Sequence, residues 1–155
     1  MSEEKKDIRP EDVLKQLDEK FSNERKELSN YIFENIINRM NDINAVADIQ
    51  VHVSSQRQRL VDKTSDLKAL IRRKKSNVAT IRKQKFRYYK LDYDIKLTDY
   101  EIPRHIDADV ENTANVISIL DNQISYYQDT IATLDKIVYK IKYLIDVKKF
   151  LSGTF

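Results

Sequence analysis

The chain has 155 residues, 28 Lys plus Arg against 25 Asp plus Glu, one Gly, two Pro and no Cys. So few turn formers exclude a sandwich, a barrel or a doubly wound sheet, all of which need many tight turns. Without Cys there is no disulfide scaffold and no thiolate metal or redox centre.

The lone glycine, Gly153, rules out Gly-rich phosphate loops. No apolar run approaches the ~18 residues of a membrane span, and the first twenty residues are charged throughout, with no secretory signal. The expectation is a soluble, intracellular, mostly helical (all-α) protein, one domain over residues 1–155. It is expected to have no enzymatic activity, no cofactor and no metal.

The net charge of +3 hides a strong asymmetry. Residues 1–56 carry 8 basic and 12 acidic side chains, residues 57–90 carry 13 basic and two acidic ones, and residues 91–155 carry 7 basic and 11 acidic ones. A block at +11 inside an acidic chain repels itself unless a polyanion is its partner.

A first, acidic helix is expected over 10–47. Pro10 suits its first position, with Glu11 and Asp12 at the positive end of the dipole. The polar stretch Lys20 to Glu27 suggests a break or fraying. Ile49, Val51 and Val53 alternate with polar residues, which is a short strand signal.

A second helix is expected over 55–88. Steps of three and four from Leu60 give Thr64, Leu67, Ile71, Lys74, Val78, Ile81, Lys85 and Tyr88, an amphipathic seam interrupted by Lys74 and Lys85. At about 100° per residue, Lys68, Arg72, Lys75, Arg82, Lys83, Arg87 and Lys90 fall on the opposite arc. The two seam lysines either snorkel at the edge of the packing or line a basic groove shared in an oligomer.

An arm or linker follows over 89–106. Tyr89, Leu91, Tyr93, Ile95 and Leu97 alternate with polar residues, which reads as a short β arm over 89–97 or as a frayed helix end; we take the strand. Pro103 argues against a helix running through this region.

The C-terminal helix is expected over 107–151, with Asp107 as its cap. From Val110 the apolar steps are Ile117, Leu120, Ile124, Tyr127, Ile131, Leu134, Val138, Ile141 and Ile145, a heptad repeat with β-branched residues at every a position. The stretch from 108 to 151 would be roughly 65 Å long at ~1.5 Å per residue. A compact globule of this length has a diameter near ~40 Å. The seam is therefore expected to serve self-association, in an elongated, ring-like homo-oligomer.

Catalysis has no residue to stand on. His52 and His105 are far apart, and the carboxylates spread along helix faces with no buried acid/base pair. The candidate site is the basic segment Ile71–Lys90. Arg72, Arg73, Lys74, Lys75, Arg82, Lys83, Lys85 and Arg87 can neutralise phosphates. Phe86 lies on the basic arc and is the candidate for stacking an unpaired base; Tyr88 lies on the apolar face, as a core residue or a second platform. Single strands fit better than duplex, because no groove-docking motif is present.

IRKQKFRYY, residues 81–89, resembles the Leu-Lys-Ala-Arg-Leu-Asp-Tyr-Tyr segment of the UvsY family, the recombination mediators of T-even-like phages. VISILDNQISYYQDTIATLDKIVYKIKYLIDVKKFLSG, residues 116–153, resembles that family's C-terminal helix. The similarity covers residues 57–153, and Arg9-Pro10-Glu11-Asp12 adds a weaker match. The resemblance implies a non-enzymatic, non-virion phage protein of the host cell cytoplasm that forms a hexamer or heptamer and binds single-stranded DNA. It implies a role in recombination and repair: loading a RecA-type recombinase onto DNA covered by single-strand-binding protein. It places the family's DNA-binding pair on Lys83 and Lys85. Lys85 stands where the family has Arg, which loses a planar fork, and Arg87 stands where it has Asp. The alternatives are a structural coiled-coil phage assembly or scaffold protein with a basic face, and a duplex architectural protein.

Overall fold

A computed structural model describes residues 9–153; the outermost residues of the expected 1–155 domain, 1–8 and 154–155, lie outside the described residues. Three long helices dominate, α1 (Pro10–Asn35), α2 (Val46–Leu91) and α3 (Glu101–Leu151), with single 3-10 turns at Ile37–Arg39 and Ile43–Ala45 between α1 and α2. No strand occurs among the described residues.

Several expected boundaries are corrected. The first helix ends at Asn35 rather than at 47. Ile36 leaves the helical region at φ −123° and ψ −69°, and Asp42 caps the second 3-10 turn by accepting from the Asn44 amide at 2.9 Å. The polar stretch Lys20 to Glu27 stays helical. Phe21 anchors it in the core, and the Arg25 guanidinium donates to Gln123 Oε1 at 2.8 Å.

The alternation at 49–53 is not a strand. α2 already begins at Val46, and the pattern is a helical one in which Ile49 and Val53, four residues apart, are buried while Val51 is 66% exposed. The arm at 89–97 is not a strand either. Tyr89 to Leu91 finish α2, and 92–97 form a loop. No second strand lies alongside to take the backbone hydrogen bonds a strand needs. Instead Tyr93 turns back onto Tyr89 and Tyr88, at ring-centroid distances of 5.1 and 5.7 Å.

α3 starts at Glu101, not at 107, so Pro103 lies close to its start, where a proline is tolerated far better than in the helix interior. The start is a capping box. Glu101 Oε2 accepts from the Thr98 amide at 2.8 Å, and the Glu101 amide donates to Thr98 Oγ1 at 3.3 Å. Asp107 is therefore not the cap.

The chain packs as two compact units. The second contains Phe21–Asp66 and Gln123–Phe155. Its core brings together Phe21, Ile32 and Ile36 of α1, Ile49, Val53 and Leu60 of α2, and Ile124, Tyr127, Leu134, Ile137 and Ile141 of α3. Burial of each such side chain contributes roughly 1.5–3 kcal/mol. Polar links join the helices: Arg57 Nε meets Asp135 Oδ1 at 2.7 Å, Tyr126 donates to the Arg25 carbonyl at 3.2 Å, and Lys63 pairs with Glu24.

The first unit takes residues 9–20 together with Leu67–Asn122. Ile71, Ile102, Ile106, Val110 and Leu120 are buried. Its end of α2 and start of α3 run antiparallel across the loop: Lys90 pairs with Asp99 beside the loop, and Arg82 with Asp107 further in.

The proposed oligomer seam divides. Leu120, Ile124, Tyr127, Leu134 and Ile141 are buried within the single chain. Ile117, Ile131 and Ile145 are half-buried, and Val138 is exposed. The long helix thus finds much of its cover in its own chain, so only part of the seam is left for the expected self-association.

Candidate nucleic-acid interface

The basic block lies on the last five turns of α2, inside the first unit. Its seam register is helical as expected as far as Lys85: Ile71 is buried, and Lys74, Val78, Ile81 and Lys85 are half-buried. At the last turn Tyr89, not the expected Tyr88, is the half-buried residue, and Tyr88 is exposed. This register turns the remaining positions outward. Arg72, Arg73, Lys75, Arg82, Lys83 and Arg87 are all exposed.

These cations are not equivalent. Arg82 Nη2 lies 2.7 Å from Asp107 Oδ1. Lys85 Nζ lies 3.6 Å from Asp109 Oδ2 and 5.7 Å from the centre of the Tyr88 ring. By contrast, Arg72, Arg73, Lys74, Lys75, Lys83 and Arg87 make no ion pair with a described residue. Acids on α3 therefore offset the inner part of the block, and among the described residues no acid offsets the outer part.

Phe86 is 43% exposed. It forms, with Pro103 and Ile106 of α3, the apolar lining of an open groove of about 420 Å³ whose polar lining is Arg82 and Lys83. Lys90 Nζ stands 5.4 Å from the Phe86 ring centre. Of these residues, Pro103 and Ile106 were not legible as site residues, since nothing in the sequence says which face of α3 meets Phe86. Asp107, read as a helix cap, is the partner of Arg82.

Tyr88 is 42% exposed and packs edge-on to Tyr89 at 5.3 Å. Tyr89 donates its hydroxyl to Asp109 Oδ2 at 2.8 Å, and that hydrogen bond, with some burial, pushes its pKa up to about 12. His105 lies against Tyr89, with ring centres 5.3 Å apart. This cluster holds the α2–α3 turn.

In the second unit, His52 lies between Tyr31 and Asp48. Its Nδ1 shares a hydrogen bond of 2.5 Å with the Tyr31 hydroxyl, and its Nε2 is 3.6 Å from Asp48 Oδ2. The first contact joins α1 to α2, and the second lies within α2. The Arg39 guanidinium, hydrogen-bonded to Asp48, holds that carboxyl below its ordinary value. Among the described residues no group of three His, Cys, Asp or Glu side chains could hold a metal ion, and no helix is long and apolar enough to cross a membrane.

No protein-family model matches the chain, and comparison with curated proteins and with solved structures finds no match.

Proposed function

We propose that the protein binds single-stranded DNA along α2 between Arg72 and Lys90. One observation carries this reading: six cations of the block have no acidic partner among the described residues, in a chain whose flanking segments are net acidic. A solvated helix face usually interleaves both signs; a one-signed face is an electrostatic footprint for phosphates. The contact is sequence-independent, because phosphates carry no base information.

The biological role we propose rests on the resemblance to UvsY-type mediators. The protein loads a RecA-type recombinase onto DNA covered by single-strand-binding protein, as a homo-hexamer or heptamer in the host cell cytoplasm, outside the virion. Repetition of a weak site around a ring would give high avidity without new contacts. Ile117, Ile131, Val138 and Ile145 are the seam positions left for such assembly.

The test is binding of the purified protein to oligo-dT from about 50 to 200 mM salt, with stoichiometry from native mass spectrometry. The reading expects affinity to fall steeply with salt and one oligomer to carry the strand. A structural assembly protein is the second reading, favoured by the exposure of Tyr139 (75%), Tyr143 (67%) and Phe150 (68%) on α3. It would self-associate and show no salt-sensitive strand binding.

A further inference from the structure

We infer that the groove beside Phe86 takes one unpaired nucleobase, so that this site distinguishes a single strand from a duplex. The inference rests on the reading that the α2 cations bind single-stranded DNA, and extends it from the phosphates to the base.

The groove combines two kinds of surface that a nucleotide needs. Its apolar lining is Phe86 with Pro103 and Ile106, and its polar lining is Arg82 and Lys83. An aromatic face stacks any base, because every base has a π-face. Phe86 is 43% exposed, so part of its ring is open to a ligand in the groove.

The surrounding charges suit a phosphodiester on either side of the inserted base. Lys83 makes no ion pair with a described residue, and the Lys90 ammonium stands 5.4 Å from the Phe86 ring centre. Arg82, paired with Asp107 at 2.7 Å, lines the groove with its planar guanidinium. A duplex keeps its bases stacked and paired, so it can offer only phosphates to the same residues. Without the groove the cations would bind both kinds of DNA through the same phosphate contacts.

The experiment compares oligo-dT with an abasic deoxyribose-phosphate strand of equal length, at one salt concentration, on the full chain. Base–aromatic stacking of about 1–3 kcal/mol corresponds to a preference for oligo-dT of roughly 5- to 150-fold. Phe86→Ala is expected to abolish that preference and leave abasic binding unchanged. Phe86→Tyr keeps the ring and is expected to retain the preference. Phe86→Leu keeps apolar bulk without a π-face and should behave like the alanine variant. Equal binding of both strands by the wild type overturns the base pocket while leaving the phosphate reading standing. A preference that survives in Phe86→Leu also overturns it, as does a loss of abasic binding in both Phe86→Ala and Phe86→Leu. Failure of the wild type to bind either strand overturns the proposed function itself, and this inference with it.

Discussion

Lys85 reaches across to α3 and places its ammonium 3.6 Å from Asp109 Oδ2, whereas Lys83, two residues earlier, makes no ion pair with a described residue. The difference follows from helical geometry. Two residues are about 200° apart on an α-helix, so Lys85 joins the seam and Lys83 faces outward. The two lysines should therefore respond differently. Lys83→Ala should remove one phosphate contact per subunit and reduce the magnitude of the salt slope by about 0.7. Lys85→Ala should weaken binding less, because its charge is already offset. Oligo-dT titrations of both variants over a range of salt check this. A larger loss for Lys85→Ala would mean that a bound strand competes successfully with Asp109.

The start of α3 should be sensitive to acid. The Thr98 backbone N–H and then its hydroxyl hold the Glu101 carboxyl below its ordinary value. A depressed carboxylate contributes stability above its unfolded pKa and loses it as pH falls through the folded one. The first turn of α3 should thus fray only at pH values below the ordinary carboxylate range. Amide hydrogen exchange at Thr98 and Glu101, followed through acid titration, reports it. Thr98→Ala should cost about 1 kcal/mol at neutral pH.

Among the nine tyrosines, Tyr127, whose pKa burial raises, and Tyr89 should both titrate late. The Tyr89 hydroxyl donates to Asp109, and its pKa is raised to about 12. A raised value means the contribution is complete below the ordinary tyrosine pKa and is lost as pH climbs through the raised one. An ultraviolet titration should show a late component, and Tyr89→Phe should remove the part of it near pH 12 while leaving that of the buried Tyr127. The turn would then loosen between about pH 10 and 12 in the wild type.

The seam of α3 should separate into packing and surface positions. Leu134 is fully buried, so Leu134→Ala should cost about 2–5 kcal/mol in urea unfolding. Val138 is 42% exposed, and Val138→Ala should have little effect on the unfolding of a single chain. If Val138 serves self-association, Val138→Asp should reduce the sedimentation coefficient without loss of helicity.

The helical architecture was legible because the seams of α2 and α3 repeat at three and four residues over many turns. The ends of the elements were less so. Tyr89 to Leu97 alternates as a strand does, yet a strand depends on a partner that a local pattern does not reveal. Pro103 was read as an obstacle, but the Thr98–Glu101 capping box, visible as Thr-x-x-Glu, makes it a first-turn residue. The heptad of α3 marked the buried positions but not what buries them. Ile124 and Tyr127 are buried within the same chain's second unit, where Lys63 of α2 stands 5.7 Å from the Tyr127 ring centre, a tertiary fact. Arg72 to Arg87 were legible from charge alone, since nothing acidic interrupts them. The division into paired Arg82 and Lys85, and Lys83 and Arg87 with no ion pair among the described residues, was not, because Asp107 and Asp109 lie some twenty residues away in sequence.

Ultraviolet cross-linking of oligo-dT to the full chain, followed by peptide mapping, tests the DNA-binding reading most directly. The adduct should fall within residues 72–90, with Phe86 the principal site, and should fade as salt is raised. A strand that binds but cross-links only elsewhere, for instance through Tyr139 or Tyr143 on α3, would show that the basic face of α2 is not the DNA site.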